Sequence, residues 1–265
     1  MDALALTNTV VEIIEKEEDL TPERLAAMEI LHQPERVIVE YNGMWLVSKF
    51  EKMQKPKGWG IEQHIVCVDA STFQMYMANM KSIFMDMVRG ADMVVFNRCK
   101  ASDPLATYRR GIKVANQRAE IIFEDEEGEI DNIFQDEMPF DVNAPLIDIL
   151  PEDYGIWFVD AMDHPDTYVG KTVRFKGRAL KPRGMGSRFF VPGRMAMTCC
   201  ADDTTFLGYV CKSDDTPRIR EGQWVEVTAR VAFEQRMEYQ GDGIVLYADR
   251  VEPCEALADE MVYFN

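Results

Sequence analysis

The sequence has no apolar run near the ~18 residues needed to span a bilayer. Its first twenty residues, MDALALTNTVVEIIEKEEDL, contain no basic segment ahead of an apolar one, so they do not read as a secretory signal, and the cytoplasm is the default expectation. Six cysteines show neither the dense spacing of a disulfide scaffold nor a CxxC pair, which points to reduced thiols. Histidine is scarce: His32, His64 and His164 are scattered, and no Ser/His/Asp or Cys/His arrangement follows from them. There is no G-x-x-x-x-G-K-[ST] loop to cradle phosphates. Gly170-Lys171-Thr172 only imitates its end, because Pro165 stands where the first glycine belongs. Positive charge is short too, with 29 Lys and Arg against 46 Asp and Glu and a net charge of −17. Long-range attraction to nucleic acid or to anionic membranes is therefore not expected.

The deficit is uneven. Residues 1–152 hold 15 basic and 28 acidic side chains, while Lys171 to Cys200 holds eight basic ones and no acid. That run includes the stretch SRFFVPGRMAMTCC, where cations, aromatic rings and two adjacent cysteines meet. The most acidic stretch, Glu124–Asp131, reads as a solvated turn around Gly128.

The first half alternates strands and helices, which predicts a mainly parallel sheet with helices on both faces. Strands are expected at Thr9–Ile14, Arg36–Tyr41, Ile65–Val68, Met93–Phe96 and Ala119–Phe123. Thr21-Pro22 begins one helix as an N-cap and first-turn proline, Ser71 caps another that runs over 72–89, and Pro104 opens a third. The segments VIVEYNG, HIVCVDASTF and ADMVVFNRC resemble the later part of the nucleotide-binding domain of CobW-type metallochaperone GTPases, over about residues 35–125. The resemblance implies an incomplete P-loop-NTPase-like α/β domain, a Mg²⁺-proximal acid at Glu40 and a guanine-contacting Asn97. Two departures oppose GTP binding. The phosphate loop is missing, and Lys100 replaces the aspartate that would accept hydrogen bonds from guanine.

Residues 136–153, with three prolines, read as a linker between an α/β domain (1–135) and an all-β domain (154–265). Trp157 and Phe158 are expected to cover the second domain. Strand-like runs at 172–178, 189–197, 206–211, 224–233 and 244–251 suggest a small closed barrel of the OB type. DHPDTYVGKTVRFKGRAL, VPGRMAMTCCADDTTFLGYVCKS and EGQWVEVTARV resemble the C-terminal domain of YcgQ-type proteins, over about residues 153–253. That resemblance implies a subunit of a permease complex, and the apolar tail MVYFN is expected to dock on the first domain.

Three functional expectations follow. The first is a non-catalytic accessory protein of metal-ion homeostasis or transport, with a permease subunit or a metal-receiving protein as partner. Cys199, Cys200 and Cys211 could then supply thiolates to Zn²⁺, provided the chain turns after Cys200. The second is a GTP-dependent metallochaperone whose phosphate loop comes from elsewhere, with Glu40 and Asn97 as its nucleotide residues. The third is a single-stranded nucleic-acid binder using a basic face of Arg174, Lys176, Arg178, Arg188 and Arg194 with interleaved phenylalanines. The plainer reading of that face is a surface neutralised by the acidic first half, or one that docks a protein partner.

Overall fold

The computed structural model describes residues 9–130, 138–198 and 203–263. The first half holds α1 (Pro22–His32), α2 (Val47–Lys52), β1 (Ile65–Asp69), α3 (Ala70–Arg89), β2 (Met93–Asn97), α4 (Leu105–Ala115) and β3 (Glu120–Phe123). α1 starts as the sequence predicts, with Thr21 Oγ1 accepting a hydrogen bond from Arg24 N at 3.2 Å and proline in the first turn. The cap of α3 is Asp69 rather than Ser71. Its carboxylate accepts from Ser71 N at 3.0 Å.

β1, β2 and β3 form a parallel sheet in that order. Alternation puts Val66, Val68, Val94, Phe96 and Phe123 on one face. They share a core with Phe73, Phe84, Met85 and Val88 of α3 and with Leu105, Tyr108 and Ile112 of α4. Both crossover helices therefore cover the same face, as strands that advance in one direction through right-handed crossovers require. The expected cover on both faces is not found among the described residues.

Two expected strands are also absent. Residues 9–14 and 36–41 are irregular, and Val10, Val11, Ile13 and Ile38 are exposed. β-Branched side chains fit a strand only when a neighbouring strand and a covered face are available, and neither stretch has them.

The second half contains β4 (Leu146–Asp148), α5 (Tyr154–Asp163), α6 (Pro165–Tyr168), β5 (Thr172–Leu180), β6 (Phe189–Met197), β7 (Thr204–Gly208), β8 (Val210–Lys212), β9 (Trp224–Arg236), β10 (Gly241–Pro253) and β11 (Met261–Val262). Five strands close a ring, β5-β6-β8-β10-β9 and back to β5. Every pair in the ring is antiparallel except β8 with β10. β4, β7 and β11 are additions to this barrel. The presumed linker thus contributes a strand, because β4 pairs with β5 and buries Ile147. Of the C-terminal tail, Met261 and Val262 pair with β6 of the barrel rather than with the first domain.

Close approach explains a glycine of the VPGRMAMT segment. A Cβ on Gly193 would sit 2.1 Å from the Leu207 carbonyl oxygen, so β6 and β7 meet there only without a side chain. α5 packs into the same core as the barrel strands, and the Trp157 ring lies 5.0 Å from that of Phe175. Trp157 and Phe158 are buried, as expected of residues that cover the barrel. The halves are joined where Arg109 of α4 meets Asp163 of α5 through bonds of 2.8 and 2.6 Å. Arg89 of α3 also pairs with Asp203 at the start of β7.

Candidate functional site

Alternation along β5 turns Arg174, Lys176 and Arg178 outward, as the sequence suggests. Each then meets an acid on a neighbouring strand or loop of the barrel region. Arg174 grips Asp148 through two bonds of 3.0 and 2.6 Å, and this holds the Asp148 carboxyl below the usual carboxylate range. Lys176 stands opposite Glu226 in the β5–β9 register. Arg178 lies 3.8 Å from Glu260, and Arg188 lies 3.5 Å from Asp214. The acids that offset this row come from β4, β9 and nearby loops rather than from the α/β layer.

Arg194 is not on the surface. It is 2% exposed, and its guanidinium donates to the carbonyls of Pro151, Asp259 (2.9 Å) and Met261 (3.0 Å). Burial pushes its pKa below the ordinary arginine value. Gly193 brings β6 against its neighbour at this point, and the next side chain turns inward.

The proposed thiolate set is not assembled among the described residues. Cys199 and Cys200 lie outside them. Cys211 is sealed in the barrel core, where burial pushes its thiol far above the usual range and disfavours the thiolate a metal would need. No group of three His, Cys, Asp or Glu among the described residues could hold a metal ion. No helix of the described residues is long and apolar enough to cross a membrane.

The nucleotide residues fare differently from one another. Glu40 lies in an exposed irregular stretch, so it does not end a sheet strand. Asn97 does end β2, beside Asp69 in the register, and its Oδ1 is buried with no hydrogen-bond partner among the described residues. The first turn of α3 is already capped by the Asp69 carboxylate, which also pairs with Arg98. The N-terminus of α3 therefore already holds an anion of the chain itself and offers no open site for a phosphate.

A different row emerges from the barrel register. Phe189 of β6 pairs with Lys212 of β8, Lys212 with Tyr247 of β10, and Tyr247 with Arg230 of β9. The four residues run side by side across the barrel wall. Lys212 Nζ and Arg230 Cζ flank the Tyr247 ring at 5.5 and 5.8 Å, and Arg236 Cζ lies 4.5 Å from the Phe189 ring. Each contact is worth ~0.5–1 kcal/mol where exposed, enough to hold the cations over the rings. Glu234 accepts from the Tyr247 hydroxyl at 2.9 and 3.0 Å, and Glu238 neutralises Arg236. Lys212 and Arg230 have no ion pair among the described residues. Sequence reasoning missed this row because its members come from four strands. Only the fact that Phe189 precedes the inward-facing Phe190 hinted at it.

The arrangement offers cations and ring faces. A cavity between α4 and α5, lined by Arg109, Asp160, Asp163 and His164, has about 30 Å³, which suits water rather than a substrate.

Comparison with known proteins gives one family match: residues 126–264 match the DUF1980 C-terminal domain. It covers the barrel and is consistent with the YcgQ-type resemblance there. The CobW-type resemblance over residues 35–125 gains no support. No curated protein matches the chain. Among solved structures, two crystal structures of Rim1, a mitochondrial single-stranded DNA binding protein of S. cerevisiae, are 14% and 15% identical. Each covers 32% of this chain, spanning 95% and 94% of Rim1, at a TM-score of 0.20 that carries no argument.

Proposed function

This chain belongs to the DUF1980 C-terminal domain family, and from that premise we propose that it is a non-catalytic binding protein. Its barrel, read as OB-type from the ring order and the single parallel pair, grips a short acidic segment of a protein partner. The observation that carries this reading is the Phe189–Lys212–Tyr247–Arg230 row with its two uncompensated cations. Rings fix the register of the incoming segment, and the cations supply charge-assisted hydrogen bonds worth ~1.5–3 kcal/mol each. The partner classes implied by the YcgQ-type resemblance, a permease subunit or a metal-receiving protein, are compatible with such a segment.

Single-stranded nucleic acid is the second reading, favoured by aromatics and cations on one barrel wall. It is the weaker one. A long polyanion would run beyond two free cations onto Glu226, Glu234, Glu238 and Asp242, and the chain as a whole repels it.

The test is fluorescence anisotropy with a labelled glutamate-rich peptide and, separately, a labelled oligothymidylate at two salt concentrations. The peptide is expected to bind. Its affinity should fall by at least about tenfold in Lys212→Glu/Arg230→Glu, since ~1.4 kcal/mol is a factor of ten. Peptide binding unchanged by the double variant would refute the row as the site. Tighter, steeply salt-dependent oligothymidylate binding would favour the second reading instead.

A further inference from the structure

We propose that the second face of the three-stranded sheet, which carries no helix among the described residues, docks a basic amphipathic helix from a partner protein. A parallel sheet is normally buried on both faces, because its strands are too apolar to stand in water. Here α3 and α4 share one face. The other carries Ile65 and Cys67 of β1, Met93 and Val95 of β2, and Ile122 of β3, aligned across the strands by the register. Ile65 is 47% exposed and Cys67 is exposed, while Met93, Val95 and Ile122 remain half-buried. The contrast with Val94 and Phe96, at 0% on the covered side, measures the difference between the two faces.

Size and charge specify the occupant. Three strands about 4.8 Å apart make a face about 10 Å wide, and five residues make it about 17 Å long. One helix of roughly three turns has those dimensions. The same face of β3 presents Glu120 and, at its end, Glu124, both exposed. These lie in a half with 15 basic and 28 acidic side chains. Lys or Arg flanking an apolar stripe would meet these acids, whereas a second copy would bring acid against acid. The site is separate from the barrel row, so the two proposals can fail independently.

Cys67 makes the face measurable. The probes are two synthetic helical peptides of about 12 residues, one Leu/Lys and one Leu/Glu, added to the full chain. Alkylation of Cys67 is followed by mass spectrometry, with Cys254 as the off-site control. The Leu/Lys peptide is expected to slow Cys67 labelling about fivefold at about four times its Kd and to leave Cys254 unchanged. Protection should disappear in Ile122→Lys and, in a second variant, in Glu120→Lys/Glu124→Lys, which leaves the apolar row intact. It should persist in Lys212→Glu/Arg230→Glu. Equal protection by both peptides, no protection by either, or protection that survives both variants would overturn the proposal. Cys67 labelling that falls with protein concentration alone would also overturn it, in favour of a second copy as occupant.

Discussion

Replacing Arg194 with methionine separates a surface cation from a structural clamp. On a solvated face this change would cost little, since surface substitutions stay within about 0.5 kcal/mol. In the structure the guanidinium holds three carbonyls, those of Pro151, Asp259 and Met261, and stacks 5.8 Å from the Tyr154 ring. Hydrogen bonds to a charged donor contribute ~1.5–3 kcal/mol each. Three of them approach ~5 kcal/mol at the lower bound. The variant recovers part of this, because methionine fills the space and no longer pays the desolvation of a buried cation. A net loss of about 3 kcal/mol is expected, or ~6–12 °C in Tm for a chain of this size. The loss should be local first. β11 has only two residues and reaches β6 through the carbonyls that Arg194 holds, so the Met261 and Val262 amides should lose hydrogen-exchange protection before the barrel does. Lysine at this position should not rescue, because one ammonium cannot reproduce a planar fork spread over three acceptors. Urea unfolding together with exchange at Met261 and Val262 decides the matter. An R194M chain as stable as the parent, with β11 equally protected, would refute the clamp.

Three further expectations rest on other contacts. Gly193→Ala places a methyl against the Leu207 carbonyl, backbone on backbone, and should cost about 3 kcal/mol or prevent barrel closure, measured by urea unfolding. Asp163→Asn leaves Arg109 and Lys113 facing a neutral amide in a buried joint. A loss of ~3–5 kcal/mol is expected, with the two halves melting as separate calorimetric transitions and the parent melting in one. The Asp148–Arg174 pair should weaken in acid. The folded carboxyl lies below its unfolded value near 3.8, so its contribution is complete above that pH and is lost as pH falls through the folded pKa. Side-chain NMR of Asp148 in the parent and in Arg174→Gln should show the titration midpoint rise in the variant.

Much of the architecture was legible because local signals agreed with burial. Thr21-Pro22 set the start of α1, and the runs at 65–68 and 93–96 became strands with buried partners. Phe189–Met197 formed a strand over the predicted range. The failures share one cause. RVIVEY has the composition of a strand, but pairing is a tertiary event, and no neighbour accepts it. The strand-like run at 206–211 is interrupted at Tyr209, whose hydroxyl turns inward to the Phe158 carbonyl. Site residues were harder still. The basic run correctly located outward-facing cations on β5, but sequence distance concealed that Asp148, Glu226 and Glu260 would stand beside them. Net charge is additive along a chain; charge compensation is a property of register. The row that remains uncompensated joins Phe189 to Arg230 through β8 and β10, and no window of sequence contains it.

The same logic explains why the two proposed surfaces carry opposite preferences. The barrel satisfies its outward cations internally wherever β5 borders an acidic neighbour, and it leaves Arg230 on the adjacent β9 and Lys212 on β8 without an ion pair among the described residues. The sheet does the reverse. Asp69 and Arg98 neutralise each other where β1 and β2 end, while Glu120 and Glu124 border an apolar face with no described cation paired to them. Between the two surfaces lies the Arg109–Asp163 joint, with both side chains largely removed from water. A buried, bidentate pair resists rotation far more than a surface ion pair does, because opening it exposes one charge without releasing the other from its apolar surroundings. If both surfaces are occupied, this joint fixes how their partners stand relative to each other. Asp163→Asn should then leave each isolated binding reaction intact while weakening simultaneous binding of a tethered acidic segment and basic helix. The loss would come from effective concentration alone.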